Sequence, residues 1–383
     1  MSKKPVIMQV IPNLGAGGAE QTAVDVAAAQ VKAGMKAIVV SNGGPRVPEI
    51  LRCGAQHIQL PVHSKNPFVM ALNVLRLRAL IRKHDVHIVH ARSRAPAWSC
   101  LEAVKGTNAH FMTTCHAPYN VRDNKFKRFY NSVIAQGELV IANSWFVGDY
   151  LQKEYKLSQK KIRVIPRGIP MEKFEPRLVS PERMMKLTKE WRIPDGAQII
   201  LLPGRLTRWK GQGVLIEAMA LLTDYPELYC VLLGDDQGRT EYREELEGLI
   251  RSKGLEGRVR IAPHCDDMAS AYQLASVVVS ASIEPEGFGR IAVESQAMGR
   301  PTIATNIGGS CETILPNETG WLVPPNDAAT LAEALRIALS LSEDLQTAMA
   351  AHAMAHVRAY YTKAHMTEAT LNVYREILKK TKK

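Results

Sequence analysis

The chain is defined first by what it lacks. Its six cysteines, Cys53, Cys100, Cys115, Cys230, Cys265 and Cys311, include no Cys-x-x-Cys pair. That argues against a zinc ribbon or a disulfide framework and fits reduced thiols in a cytosolic protein. No run of about 18 apolar residues occurs, so no transmembrane helix is expected. The first apolar stretch, in "MSKKPVIMQVIPN", is too short for a signal-peptide core. No Asp-x-Asp occurs, so a catalytic Mg²⁺ or Mn²⁺ is not indicated and no cofactor is expected. Acid is scarce in the first half. Residues 1–190 carry 13 Asp/Glu against 29 Lys/Arg, a net +16, whereas residues 191–383 net −4. Such asymmetry suits an anionic partner for the first half, or simple solubility.

What is present is an alternation of short Val/Ile-rich runs with helical patterns. "PVIMQVI", "KAIVVS", "VHIVHA", "HFMTTC" and "LVIAN" read as strands. "AEQTAVDVAAAQVKAG" and "FVMALNVLRLRALIRKH" read as helices. This is βαβ grammar, and it implies a parallel sheet covered on both faces. The pattern pauses at "IPRGIPMEKFEPRLVSPER", residues 165–183, where Pro and Gly cluster. It restarts with "QIILLPG", "YCVLLGD", "RVRIAP", "VVVSA" and "PTIAT". The length of 383 residues suits two domains of about 150–200 residues each. We expect an N-terminal Rossmann-like domain over 1–168, a hinge over 169–196 and a second Rossmann-like domain over 197–355. A C-terminal helix over 356–383 is free to return to the first domain. The fold class is α/β, with ligands beyond the carboxyl ends of the strands and a cleft between the domains.

"PNLGAGGAEQ" follows the first strand and approaches the dinucleotide fingerprint. Gly15 and Gly17 fit, but the third small position is Glu20. The second strand ends "VVSNGG", without the acid that a ribose hydroxyl needs. No Gly-Lys-Ser/Thr follows, so it is not a Walker loop either. Gly15, Gly17 and Gly18 still allow close approach of the backbone to a ligand at a helix N-terminus. A plain strand–helix turn is the alternative.

The densest signal lies in "SASIEPEGFGRIAVESQAMGRPTIATNIGGSCE". A helix should run from about Arg290 to Met298, with Glu286 before it and Glu294 within it. Eight residues of helix span roughly 12 Å, too far for two carboxylates to share a proton or a metal. The spacing suits an extended ligand held at two places, with phosphates on the amides of the helix start between them. Gly308, Gly309 and Glu312 follow. Upstream, "LLPGRLTRWKGQG" puts Arg205 and Lys210 on a glycine-flanked loop after a strand, suited to clamp a diphosphate; taken alone, they read as solvated surface charges.

The order "GRL…KG", then Glu-x7-Glu in "EGFGRIAVE", then "GG..E", resembles the retaining GT-B glycosyltransferases of family 4. "HARSRAPAW" and "RPTIATNIGG" are similar to the branch that builds lipopolysaccharide and other envelope glycans in Gram-negative bacteria. The resemblance implies two doubly wound Rossmann-like domains and a nucleotide-sugar donor. It implies Arg205 and Lys210 at the diphosphate and Glu294 at the ribose. Glu286 would meet the donor sugar, assisted by the amides near Phe288 and Gly289, beside Arg290. His116 in "TTCHAPYN" matches a histidine near that sugar, and Gly15, Gly17 and Gly18 reach the phosphates and acceptor. The acceptor implied is lipid-linked or saccharide, used without a metal. "IPRGIP" carries Arg167 where many relatives have Asn. The extra cation could meet an acidic sugar or a phosphorylated acceptor, or form a hinge salt bridge.

Arg122, Lys125, Lys127 and Arg128, interleaved with Phe126, Phe129 and Tyr130, suit an anionic membrane surface or an amphipathic helix with buried aromatics. No nucleic-acid module is recognisable. Three function classes follow: a hexosyltransferase at the cytoplasmic face of the inner membrane, a nucleotide-sugar epimerase of the same fold, and a basic non-enzymatic binder. UDP is favoured over GDP as the donor nucleotide.

Overall fold

A computed structural model describes residues 4–15, 17–119, 124–238 and 240–380. The chain divides into two compact units. Unit 1 comprises Met1–Gly168 with Lys363–Lys383, and unit 2 comprises Ile169–Thr362. In unit 1 the elements are β1 (Val6–Val10), α1 (Gly18–Lys32), β2 (Lys36–Ser41), α2 (Val47–Arg52), β3 (Gln56–Gln59), α3 (Pro67–His84), β4 (Ile88–Ala91), α4 (Arg94–Val104), β5 (His110–Cys115), α5 (Lys125–Ser132), β6 (Val140–Ala142), α6 (Trp145–Tyr155) and β7 (Ile162–Val164). Unit 2 contains α7 (Pro181–Glu190), β8 (Gln198–Pro203), α8 (Gln212–Ala220), β9 (Leu228–Leu233), α9 (Thr240–Ser252), β10 (Val259–Ala262), α10 (Met268–Leu274), β11 (Val277–Ser280), α11 (Arg290–Ala297), β12 (Thr302–Thr305), β13 (Trp321–Val323), α12 (Ala328–Leu339) and α13 (Glu343–Tyr360). The last helix, α14 (Lys363–Lys380), belongs to unit 1.

Both sheets are parallel. Their strand orders are β3-β2-β1-β4-β5-β6-β7 and β10-β9-β8-β11-β12-β13. Each order reverses direction once, at β1/β4 and at β8/β11, where loops from adjacent strands open a crevice. The strands are apolar throughout because helices cover both faces. Val6, Met8 and Val10 of β1 join Leu77 and Ile81 of α3 in one cluster. Ile7 points the other way, to Val26 of α1 and to Met366, Tyr374 and Ile377 of α14. In unit 2, Ile200 and Leu202 face α8, while Ile199 and Leu201 face the opposite layer.

Local signals explain the helix ends. The Asn66 side chain accepts hydrogen bonds from the amides of Phe68 and Val69 at the start of α3, with Pro67 in the first turn. Arg82, Lys83 and His84 occupy its last turn, where cations meet the negative dipole end. Ser180 caps α7 in the same way, again followed by proline. Residues 169–196 are packed into unit 2: Phe174, Leu187 and Trp191 share a cluster with Ile199, Leu201 and Val231. The two points where the chain passes between units lie together, since Ile169 and Thr362 form a parallel bridge.

The return of α14 brings a buried polar chain into unit 1. The Tyr374 hydroxyl is 2.8 Å from His90 Nδ1, and His90 Nε2 is 2.6 Å from Thr114 Oγ1. Burial, and then the charge of Arg92, holds the His90 pKa well below the ordinary 6.5. His90 is therefore neutral when folded, whereas unfolded histidine takes a proton below about 6.5. Stability is complete above that pH and falls as the pH drops, by about 1.4 kcal/mol per pH unit for this group. Urea unfolding between pH 7.5 and 5.5 should show a shallower pH slope for His90→Gln than for the natural chain. Equal slopes would mean that His90 charges within the fold.

Candidate active site

The reversal point of unit 2 gathers the second-half residues. The loop leaving β8 runs from Gly204 to Gly211, and the loop leaving β11 runs from Ala281 to Gly289. Gly211 has φ 73°, and a Cβ there would stand 1.9 Å from the carbonyl oxygen of Ala281. Only glycine permits this approach of one backbone to the other. The Ile283 amide donates to the Trp209 carbonyl at 2.8 Å and ties the same two loops. Lys210 is thereby carried to Glu286, Nζ to Oε1 at 2.7 Å, with the two side chains 11% and 15% exposed. Lys210 Nζ also lies 4.5 Å from the centroid of the Trp209 ring. Ser282 donates a second, short hydrogen bond to the same Glu286 oxygen.

The loop after β12 closes on the other side. Gly308 has φ 68°, and a Cβ would meet the Glu286 carbonyl oxygen at 2.6 Å. The Gly309 amide donates to that carbonyl at 2.8 Å. Glu286 is thus fixed through side chain and backbone by three strand ends. Among the described residues its Oε1 carries both side-chain contacts, so Oε2 retains its acceptor capacity.

Gly289 caps α11, which begins at Arg290 as the pattern predicts. Glu294 is 6% exposed. Its Oε2 accepts from the Tyr272 hydroxyl at 2.8 Å and its Oε1 from Arg290 Nε at 2.5 Å. Burial first, and then the Glu294 charge, pushes the Tyr272 pKa well above 10, so the phenol stays a donor. A carboxylate offers about four acceptor positions. Two are used, and two remain for a diol. Phe288 is buried against Tyr361, ring centroids 5.7 Å apart, so this residue offers its backbone rather than its side chain. Arg205 follows β8 directly and is exposed, while its carbonyl accepts from Gln212 Nε2 at 2.9 Å.

Gly15, Gly17, Gly18 and His116 belong to unit 1. Gly17 caps α1, and a Cβ there would stand 2.3 Å from the Glu20 carboxylate. The Gly15 carbonyl accepts from Arg46 Nε at 2.8 Å. His116 follows β5, and its carbonyl accepts from Asn143 Nδ2 at 2.9 Å. Burial, then the charges of Arg167 and Arg92, holds its imidazole well below 6.5 despite an opposing backbone contact with Arg92. A neutral His116 orients a hydroxyl better than it supports positive charge. The histidines spaced by three in "HDVHIVHAR", His84, His87 and His90, do not converge as metal ligands would: His87 Nδ1 accepts from the Val6 amide, and His90 is bonded to Tyr374 and Thr114. Among the described residues no group of three or more His, Cys, Asp or Glu could hold a metal ion, and no helix is long and apolar enough to cross a membrane.

Tyr272, Ser282, Arg46 and Asn143 escaped the sequence reading. Ser282 stands four residues before Glu286 and could have been suspected from that spacing. Tyr272 lies in a different helix from Glu294, and no local pattern joins them.

Residues 16–173 match the model for Glycosyltransferase Family 4, and residues 185–355 match that for Glycosyl transferases group 1. A glycosyltransferase from Rickettsia africae is 39% identical, with a TM-score of 0.90 over 98% of this chain and 99% of that one. The chain therefore belongs to the group 1, family 4 glycosyltransferases and has their GT-B fold. HepE of Anabaena, solved with UDP-glucose, shares the fold at 20% identity and a TM-score of 0.83, covering 97% of this chain and 99% of that one. The D-inositol 3-phosphate glycosyltransferase of Jonesia denitrificans is 29% identical over 248 residues, 63% of this chain. This chain spans 58% of that relative's length.

The ion pair at the reversal point makes a stability prediction. Removing one partner strands a largely buried charge. Lys210→Ala and Glu286→Ala should each destabilise unit 2 by about 1–3 kcal/mol. The double variant should lose less than the sum, by about 1 kcal/mol or more. Strict additivity in urea unfolding would show that the two charges are not coupled.

Proposed function

We propose that this chain is a retaining glycosyltransferase that moves a hexose from a nucleotide-sugar to a lipid-linked or lipopolysaccharide-type acceptor without a metal ion. The observation that carries the reading is the Lys210–Glu286 pair at the reversal point, with Glu294 held eight residues further on. Breaking the anomeric C–O bond places negative charge on the leaving diphosphate and positive charge on the sugar. Lys210 and the exposed Arg205 supply fixed cations for the first, and the amides at the start of α11 add their partial charge. Glu286 receives hydroxyls of the donor sugar, and Glu294 receives the ribose diol through its two remaining acceptor positions. His116 orients a sugar hydroxyl, and the loop of Gly15, Gly17 and Gly18 meets the phosphates and acceptor. The retained configuration follows from the leaving phosphate helping to deprotonate the acceptor on the same face. The UDP-glucose bound by HepE favours a uridine nucleotide over GDP-mannose.

The basic segment suits an acceptor at an anionic membrane face. Arg122 lies outside the described residues. In α5, Phe126 is 78% and Phe129 64% exposed beside Lys125, Lys127 and Arg128. Apolar rings flanked by cations favour peripheral docking on anionic lipid. The enzyme would then work at the cytoplasmic face of the inner membrane.

Incubation with labelled UDP-sugars and deacylated or lipid-linked envelope extract tests the reading. Label should pass to the extract, whereas interconversion of donors alone would mark an epimerase. Glu294→Ala should weaken UDP-sugar affinity by roughly 10-fold or more, as expected for lost hydrogen bonds to a charged acceptor. Unchanged affinity would remove the ribose assignment. Transfer should survive EDTA, and complete loss restored by Mn²⁺ would overturn the metal-free mechanism.

A further inference from the structure

Unit 1 contains its own polar pocket at the carboxyl ends of β4, β5, β6 and β7. Arg92, His116, Asn143 and Arg167 line it, each just beyond one of those strands, with Thr22 of α1. Its volume is about 20 Å³, room for one oxygen-sized group. Arg92 is 2% exposed. Its Nη1 donates to the neutral amide oxygen of Gln9 at 2.9 Å. Its Nε meets no hydrogen-bond partner among the described residues, and neither does Asn143 Oδ1. The negative charge that reaches Arg92 comes from Asp25 and Glu20.

A buried guanidinium whose side-chain acceptor among the described residues is a neutral amide is costly in a low-dielectric setting. Arg167 adds a second positive charge, close enough to bear on His116. Two cations, a donor without a partner, a neutral imidazole and a free amide oxygen form a specific combination. The cations attract an anionic oxygen, while the imidazole and the amide oxygen accept or donate to a hydroxyl beside it.

We propose that this pocket receives one oxygen of a carboxylate or phosphate carried by a sugar ligand, so that the chain selects acidic sugars over neutral ones. Arg92 and Arg167 supply the charge, and His116 and Asn143 hold a neighbouring hydroxyl. The inference rests on the reading of the chain as a sugar transferase. It deepens that reading by naming the ligand class.

Calorimetric titration of the full chain tests it in two arms. The donor arm compares UDP-glucuronate with UDP-glucose. The acceptor arm compares glucose 6-phosphate with glucose, with and without UDP. In one arm the acidic ligand should bind about 10-fold tighter or more, the scale of one charge-assisted contact. That arm identifies the source of the oxyanion. Arg167→Gln, at a half-buried position, should bring the ratio to within about 2-fold, with UDP affinity and melting temperature preserved. Arg92→Gln should do the same if it folds. Equal affinities in both arms overturn the proposal, as does a preference that survives both substitutions, and the pocket then holds water alone. UDP without a sugar reports separately on the nucleotide site. Failure of UDP to bind the natural chain would sink the transferase reading, while the arm run without UDP still decides the pocket.

Discussion

The approach of Gly211 to Ala281 governs the second unit. Two loops leave neighbouring parallel strands on opposite sides of the reversal point. They would diverge if any side chain stood at residue 211. Because none does, Lys210 reaches Glu286, and the two charges are held where few waters screen them. Gly308 repeats the device from the third strand, so Glu286 is gripped by backbone as well as by side chain. The chemistry of the site is therefore a consequence of strand order. A parallel sheet with this order puts three loop starts side by side, and glycine lets them touch.

Unit 1 has the same topology with different chemistry at its strand ends. Its reversal point lies between β1 and β4, and Arg92 is the first residue after β4. Here the buried cation meets an amide rather than a carboxylate. The contrast with Lys210 is instructive. In unit 2 the positive group is oriented by a carboxylate on the next loop and made rigid. In unit 1 the positive group is left with unfilled capacity. A rigidly held cation suits a site that positions a ligand, and an unfilled one suits a site that selects it.

The chain made its central strands legible and hid three of its four edges. "KAIVVS" and "HFMTTC" coincide with β2 and β5 because each is buried on both faces and needs an unbroken apolar run. The three strands missed, β3, β7 and β13, lie at sheet edges, whereas the fourth edge strand, β10, was legible in "RVRIAP". β3 reads "QHIQ" and is half-buried at most. An edge strand pairs on one side only and needs less apolar surface, so its pattern fades into the loops. The pause near residues 165–183 was legible as a change of unit, but α7 with its buried Leu187, and Trp191 just after it, were not. In the candidate site, Glu286, Glu294 and Lys210 could be singled out because their spacing is local to two short stretches, but the Lys210–Glu286 pairing could not. Tyr272 was not, since it reaches Glu294 from another helix.

The distribution of charge takes on more meaning at this scale. The net +16 of residues 1–190 is not spread evenly between surface and interior. Lys125, Lys127 and Arg128 lie on an exposed helix beside exposed aromatics, where solvent and salt screen them. Arg92 is buried and screened little. The first group is felt over distances near a Debye length, and Arg128 is paired there with Glu154. The second acts only on an atom that enters its pocket, and there the same unit charge counts for several times more. One excess of basic residues thus divides into a part that solvent screens and a part held out of water. Solubility alone accounts for the exposed part but not for a guanidinium placed out of water beside an amide.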